Sequence, residues 1–351
     1  MLIWATCAVI FVGVASAFRP YMSLAMHFGD TSAYTQIADA IASWDFSGVH
    51  VKQFWGVSYL VALVHNLTGI SSTTAILMLC AVCSLLAIVL AYRLWGGWIA
   101  LFALCLNFDW FQRSLLGGSE PLFVALLFAS FLMIRKERWL WAALLASLAT
   151  VTRPLGIFLL VGIGVVLIVR NQWRCFALAS LIGIVVGALY MFPLKLYLHD
   201  PLATVHSYGV AQPAARASLF GIPFRAIIVG TLGSPRPWTK LARSCGWIFL
   251  VVAGNILMVA TREFREYART HPAEAIFTAL YLISIYCYNI PYWALGTFPR
   301  FAIPILPFVF LALLRWLPKD RRVVWILAIV SAALAACSAL GIQNVLARLR
   351  G

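Results

Sequence analysis

Apolar segments follow one another along this 351-residue chain, separated by short connections. Hydrophobic residues make up 63% of the sequence and charged residues only 11%, and the mean hydropathy is +0.94. A soluble domain of this length would have about a quarter of its residues charged. Runs such as Leu181–Phe192 lack the alternation that a membrane β-barrel needs. The pattern therefore predicts an all-α, polytopic membrane protein.

The number of apolar segments predicts about eleven transmembrane helices. Several segments are shorter than the ~20 residues that a span normally needs, so their ends are uncertain. The segments are Leu2–Phe18, Ser71–Tyr92, Trp95–Phe108, Pro121–Ile134, Trp139–Val151, Leu155–Val169, Cys175–Phe192, Cys245–Ala260, Ala273–Ile290, Phe301–Leu314 and Val323–Val345.

Basic residues in the short connections predict the topology, because such clusters favour the cytoplasmic side. The clusters alternate correctly if Phe54–Leu67 does not span but lies as an interfacial helix in the first outer loop, residues 19–70. The N-terminus is then cytoplasmic. Topology and contact with anionic lipid also explain the net charge of +15, and no nucleic-acid partner is predicted. The clusters are Arg93, Arg135 to Arg138, Arg170 with Arg174, Arg262 to Arg269, and Arg315 to Arg322.

This topology places five isolated charged residues at the outer, non-cytoplasmic ends of helices or in outer loops. Ionisable side chains are costly beside hydrocarbon and tend to be retained where they bind or react. The five therefore predict a site on the outer face of the membrane. They are Asp30, Asp109, Glu120, Arg153 and Arg300.

Asp30 lies where an amphipathic helix is predicted to begin. Tyr34, Ile37, Ala38 and Ile41 follow it at helical spacing. One interpretation is that Asp30 is an N-cap residue, which accepts hydrogen bonds from the first N–H groups of the helix. The other is that its carboxylate is a general base, or a ligand of a divalent cation. Spacing alone leaves both interpretations open.

The other charged residues also allow a purely structural interpretation. Glu120 is predicted in the first turn of a span, where a carboxylate complements the helix dipole, or it has a functional role. Asp109 and Arg113 are one helical turn apart and could simply pair. Arg153 and Arg300 could extend to the membrane interface, or they could bind a phosphate through the bidentate geometry of the guanidinium group.

No residues are assigned to a metal. Cys80 and Cys83 form a CxxC pattern, but it lies in an apolar run with no second pair and no nearby histidine. The two thiols are therefore predicted to be small buried side chains.

Six short motifs occur in a recognisable order. They are Asp30 with Tyr34 and Ile37-Ala38; Tyr59-Leu60 in an apolar helix that ends at Gly69; Ala91-Tyr92-Arg93; Ser119-Glu120-Pro121-Leu122-Phe123; Thr152-Arg153-Pro154-Leu155-Gly156; and Pro299-Arg300-Phe301 with Pro304 and Pro307. In this order and spacing they resemble the GT-C superfamily of integral-membrane glycosyltransferases, most of all the mannosyltransferase branch typified by PIG-V and the bacterial polyprenyl-phosphate-sugar transferases. The resemblance covers roughly residues 1–315.

The resemblance implies the transfer of a hexose, mannose by default, from a polyprenyl- or dolichyl-phosphate donor to a lipid, glycan or protein acceptor. Asp30 would be the general base, with Glu120 as a second catalytic residue that orients the sugar or a basic partner. Arg153 and Arg300 would bind the phosphate, while Tyr34 and Asp109 would contact substrate. The tandem acidic pair of metal-dependent members is absent, so no cofactor is assigned and a divalent cation remains an option.

The resemblance also implies a domain layout. Residues 1–315 would form the transmembrane catalytic module, with a long outer loop at 193–244, and residues 316–351 a C-terminal transmembrane helix, without a separate soluble domain. The plasma membrane of a bacterium is the favoured location, and membrane lipids are expected partners. The alternative function is a transporter or flippase of a lipid-linked precursor, although the sequence lacks the repeats typical of transporters. A noncatalytic assembly subunit is a third option.

Overall fold

The computed structural model describes residues 30–46, 48–49, 53–210, 220–233, 238–318, 320 and 322–330. These residues form helices and no strand; one isolated β-bridge joins Phe220 and Tyr288. The predicted all-α class is therefore confirmed. The predicted first span, Leu2–Phe18, and residues 331–345 of the predicted last span lie outside the described residues. The chain divides into two compact units, Met1–Ala125 with Leu314–Gly351, and Leu126–Leu313.

The first unit contains a surface helix packed on two others. Helix α1 begins directly after Asp30, as predicted, and buries Tyr34, Ile37 and Ala38 against α2 and α3. Apolar residues recur every three or four positions along α1, so they lie on one face of the helix, and that face can be buried. The helices are α1 (Thr31–Ser43), α2 (Gly56–Thr68), α3 (Ser72–Trp95), α4 (Gly97–Ala100, continued by the π-helical turn Leu101–Cys105) and α5 (Phe108–Leu116).

Helix α6 (Glu120–Arg135) contributes residues to both units. In the second unit α7 packs on α8 and α9, α8 on α14, and α12 on α17. The ring of Phe131 meets Phe277 and Phe308 edge-on, with centroid separations of 5.5 and 5.9 Å. The helices are α7 (Trp139–Thr152), α8 (Ile157–Val169), α9 (Trp173–Leu198), α10 (Ala203–Val210), α11 (Arg225–Leu232), α12 (Trp238–Ala260), α13 (Arg262–Thr270), α14 (Pro272–Cys287), α15 (Pro291–Gly296), α16 (Phe298–Ala302) and α17 (Leu306–Ala312).

The predicted count of about eleven spans is not confirmed. Among the described residues, only α3 and α9 are long and apolar enough to cross a membrane as single helices. Two bent pairs could each be a further span: Asp109–Leu116 with Glu120–Arg135, at 111°, and Ser244–Ala260 with Arg262–Thr270, at 79°. Within the predicted span Trp95–Phe108, the longest helical stretch runs from Gly97 to Cys105. Such a stretch rises about 14 Å, whereas the hydrocarbon core is about 30 Å thick.

Apolar side chains cover the exposed surface of α9. Leu181, Ile184, Leu189 and Phe192 are each more than half exposed, which would be unfavourable in water and is favourable against lipid chains. Together with the length of the helix, this indicates an integral membrane protein. Helix α9 also continues through Pro193 to Leu198, so the long connection begins at His199 instead of Pro193. Proline is tolerated inside transmembrane helices.

Candidate functional site

Two consecutive glycines form a sharp turn between α5 and α6; we call Gly117 and Gly118 the glycine turn. Their φ angles are +84° and +144°, which L side chains rarely adopt. A Cβ atom on Gly118 would lie 2.7 Å from Oε2 of Glu120 and 3.5 Å from Cδ of Arg113. The absence of a side chain therefore lets the Glu120 carboxyl group lie directly against the turn, with the Arg113 side chain beside it.

Side chains from two other helices donate hydrogen bonds to backbone carbonyl groups at the glycine turn. Thr31, the first residue of α1, donates a hydrogen bond from Oγ1 to the carbonyl oxygen of Leu116 at 2.6 Å. Cys80 on α3 donates from Sγ to the carbonyl oxygen of Gly118 at 3.4 Å. Both bonds are buried. Because Asp30 directly precedes Thr31, the first of these bonds brings the start of α1 to the turn that carries Glu120.

Asp30 occupies the N-cap position of α1, but its side chain makes no capping hydrogen bond. Its φ and ψ angles of −88° and −1° are helical, whereas capping residues are normally extended. The side chain is half-buried. The structure therefore does not support the interpretation of Asp30 as a simple cap.

The other predicted acidic and aromatic site residues of the first unit are more deeply buried. Glu120 is 1% exposed, Asp109 7% and Tyr34 5%. Asp109 lies in the first turn of α5, where Oδ1 of Asn107 accepts hydrogen bonds from the backbone N–H groups of Asp109 and Trp110. Burying a carboxyl group costs free energy. Buried carboxyl groups are therefore typical of positions where the group is needed for the structure or for function.

The two predicted arginines both belong to the second unit. The guanidinium carbon of Arg153 is 5.5 Å from the centroid of the Phe301 ring, within the range of a cation–π interaction. Phe301 directly follows Arg300 in α16, and its carbonyl oxygen accepts a hydrogen bond from the Tyr281 hydroxyl at 3.0 Å. The sequence stretches that carry Arg153 and Arg300 therefore meet. Whether all five charged residues line one site stays a prediction.

A comparison with solved structures finds a similar membrane protein, ArnT from Cupriavidus metallidurans, in a crystal structure with bound undecaprenyl phosphate. The TM-score is 0.54 at 15% sequence identity, and the match covers 96% of this chain and 65% of that one. The chain has the fold of ArnT. It spans about two thirds of the length of ArnT, and at this identity the likeness concerns the fold alone. No protein-family model and no curated protein matches the chain.

Sequence reasoning missed several residues that shape the first unit of this ArnT-like chain. Thr31, Cys80 and the glycine turn were not predicted as parts of the site. The Gly-Gly pair between two helices is a recognisable signal, because adjacent glycines often mark backbone with positive φ. Thr31 gave no comparable signal, since its partner is 85 residues away in the sequence.

The described part of the ArnT-like chain offers no obvious metal centre. It contains no group of three or more His, Cys, Asp or Glu side chains that could hold a metal ion. Cys80 and Cys83 are free thiols and both are buried, as predicted.

Close packing against neighbouring backbone explains why the Thr152–Gly156 motif ends in glycine. A Cβ atom there would lie 2.6 Å from the backbone nitrogen of Thr150 and 2.8 Å from the carbonyl carbon of Ala149. We expect Gly156→Ala to lower the free energy of unfolding by about 1–3 kcal/mol, because the overlap is with backbone that cannot rotate away. Thermal unfolding in detergent micelles measures the change.

The matched control for this substitution is Gly187→Ala on α9, where a Cβ atom meets nothing within 4 Å. We expect that variant to be as stable as the wild type or slightly more stable, because alanine favours helix. Equal stability of the two variants would contradict the explanation.

Proposed function

We propose that this chain is a membrane glycosyltransferase of the GT-C type that uses a polyprenyl-phosphate-linked sugar as donor. The observation that carries the proposal is the position of Asp30. It lies at the start of α1 without a capping hydrogen bond and is joined through Thr31 to the turn that carries the buried Glu120. The likeness to ArnT, a structure with bound undecaprenyl phosphate, supports the superfamily and the class of donor.

In the proposed reaction Asp30 is the general base. Its carboxylate takes the proton of the acceptor hydroxyl while the hydroxyl oxygen attacks the anomeric carbon of the donor. The new carbon–oxygen bond forms as the bond from the anomeric carbon to the phosphate oxygen breaks. Polyprenyl phosphate leaves with the electron pair, and the anomeric configuration is inverted. Positioned bases of this kind typically contribute about 10²–10⁴-fold to the rate.

The remaining site residues receive supporting roles. Glu120 orients the sugar, and Tyr34 and Asp109 contact substrate. Arg153 and Arg300 bind the phosphate and stabilise the negative charge that grows on it as it leaves. The guanidinium group of Arg153 lies over the Phe301 ring, with its central carbon 5.5 Å from the ring centroid. Its N–H groups lie in the plane of that group, which is the geometry in which arginine binds phosphate oxygens.

The resemblance to the GT-C mannosyltransferases favours a hexose, and mannose first, as the sugar. The acceptor would be a lipid, a glycan or a protein of the cell envelope. We place the reaction on the outer face of a bacterial plasma membrane, where the positive-inside pattern puts the isolated charged residues. The absence of a tandem acidic pair favours a reaction without a metal cofactor, and a divalent cation remains open to test.

A transfer assay tests the proposal. The purified chain in lipid nanodiscs is incubated with radiolabelled polyprenyl-phosphate mannose or glucose and extracted lipid acceptors, with and without EDTA. We expect label to move to the acceptor and free polyprenyl phosphate to accumulate. Movement of intact donor across sealed vesicles without any transfer would overturn the proposal in favour of a transporter or flippase. Neither transfer nor movement would favour an assembly subunit.

A further inference from the structure

A buried hydrogen bond connects the start of α1 to the glycine turn. The hydroxyl of Thr31 donates to the carbonyl oxygen of Leu116 at 2.6 Å, and Thr31 is 1% exposed. Leu116 is the last residue of α5, so its carbonyl group has no partner within its own helix. The bond therefore satisfies a buried acceptor and joins two segments that are distant in the sequence.

The rest of the Thr31 side chain is also held by the turn. A Cβ atom on Gly117 would lie 2.9 Å from Cγ2 of Thr31 and 3.0 Å from Oγ1. The methyl and hydroxyl groups of Thr31 thus both lie against the bare backbone of Gly117. A β-branched side chain has few rotamers in a helix, and these contacts fix one of them. The orientation of the first turn of α1 relative to the glycine turn is fixed as a result.

The two residues with predicted catalytic carboxylates are close in the sequence to the two ends of this contact. Asp30 is the residue before Thr31, and Glu120 lies against Gly118, within four residues of Leu116. A shift of Thr31 relative to Leu116 would therefore change the separation of the two carboxylates. Errors of about 1 Å in such geometry can cost about 10²-fold in rate.

We propose that Thr31 is a positioning residue, which holds Asp30 at its working distance from Glu120 by fastening α1 to the glycine turn. This role rests on the proposed function of Asp30 as the base. Thr31 itself acts on no substrate atom. Its hydroxyl acts through Leu116 and the turn, and its methyl group acts through the contact with Gly117.

The test compares Thr31→Val with Thr31→Ser in the transfer assay. Valine keeps the shape and removes the donor, and we expect kcat to fall about 10–100-fold while KM for the donor changes little. Serine keeps the donor and should recover most of the activity. The control is Thr278→Val, a buried threonine of α14 whose hydroxyl donates to the carbonyl oxygen of Glu274 in its own helix at 2.8 Å. We expect Thr278→Val to lower the melting temperature less than Thr31→Val, because the carbonyl oxygen of Glu274 keeps its partner within the helix, and to leave kcat unchanged.

Two further measurements separate positioning from general damage. Binding of undecaprenyl phosphate, followed by native mass spectrometry, should be the same for the wild type and Thr31→Val. Thr31→Val combined with Glu120→Gln should be no slower than Glu120→Gln alone, because residues that act through one contact are not additive.

A wild-type kcat in Thr31→Val, or an equal loss of kcat in Thr278→Val, would overturn the positioning role while leaving the proposed function intact. A wild-type chain that transfers no sugar would overturn the proposed function, and the role of Thr31 with it.

Discussion

Asp30→Asn is expected to give a folded, membrane-inserted protein whose kcat for sugar transfer is lower by about 10²–10⁴-fold. An amide cannot take the proton of the acceptor hydroxyl, so the chemical step loses its base. Folding should be unaffected, because asparagine has the same size and shape as aspartate and is as good an N-cap residue. Activity and melting temperature are measured on the same preparation.

Asp39→Asn is the matched control for this prediction. Asp39 lies on the same helix, is exposed, and accepts a hydrogen bond from the Ser72 hydroxyl. The same chemical change there should leave kcat unchanged. An Asp30→Asn protein with wild-type activity would refute the assignment of Asp30 as the base, whatever the result for Asp39.

Glu274→Ala is expected to cause the largest loss of stability. The Glu274 side chain is fully buried in the second unit. Its Oε1 and Oε2 accept hydrogen bonds from Nε and Nη2 of Arg135 at 2.8 and 3.0 Å, and the Tyr267 hydroxyl also donates to Oε2. The Arg135 side chain is only 19% exposed, so removal of Glu274 leaves a largely buried charge without its carboxylate partner. Losses of about 3–5 kcal/mol are typical of such changes.

Thermal unfolding in detergent micelles measures this effect, and Glu266→Ala is the control. Glu266 pairs with Arg262 at 2.7 Å, but both side chains are more than half exposed, and such pairs contribute about 0–1 kcal/mol. Replacing both buried partners, as Arg135→Met with Glu274→Leu, should recover much of the lost stability, because no charge is then left unpaired. Equal losses in Glu274→Ala and Glu266→Ala would contradict the importance of burial.

Much of the helical structure follows from local sequence, because amphipathic spacing and the residues that begin or end helices are local features. The start of α1 after Asp30 and the start of α6 at Glu120 were both predicted. The number of spans was not, because an apolar run such as Trp95–Phe108 does not show where its helix is broken. Gly96, with a φ angle of +87°, separates α3 from the short stretch that follows. At Pro193 the error was the opposite one. The predicted span ended at Phe192, but α9 continues through Pro193 to Leu198.

The candidate site was only partly predictable for a related reason. Asp30 and Glu120 were predicted as site residues because they are charged residues in an apolar sequence. An acidic residue at the start of a helix, however, suits a helix cap and a catalytic base equally well. Only the three-dimensional structure shows that Asp30 makes no capping bond and that the Thr31 hydroxyl donates to Leu116. A contact between residues 85 positions apart leaves no local pattern in a single sequence.

The Asp30 side chain does not cap α1, and asparagine is an equally good residue at this position, so we expect the basicity of residue 30 to be separable from the fold of the helix. Asparagine there keeps the size and shape of the side chain and removes only its basicity. Donor and acceptor should then bind side by side without reacting. An inactive but intact protein of this kind would be the natural form in which to trap the sugar-phosphate for crystallography or cryo-microscopy.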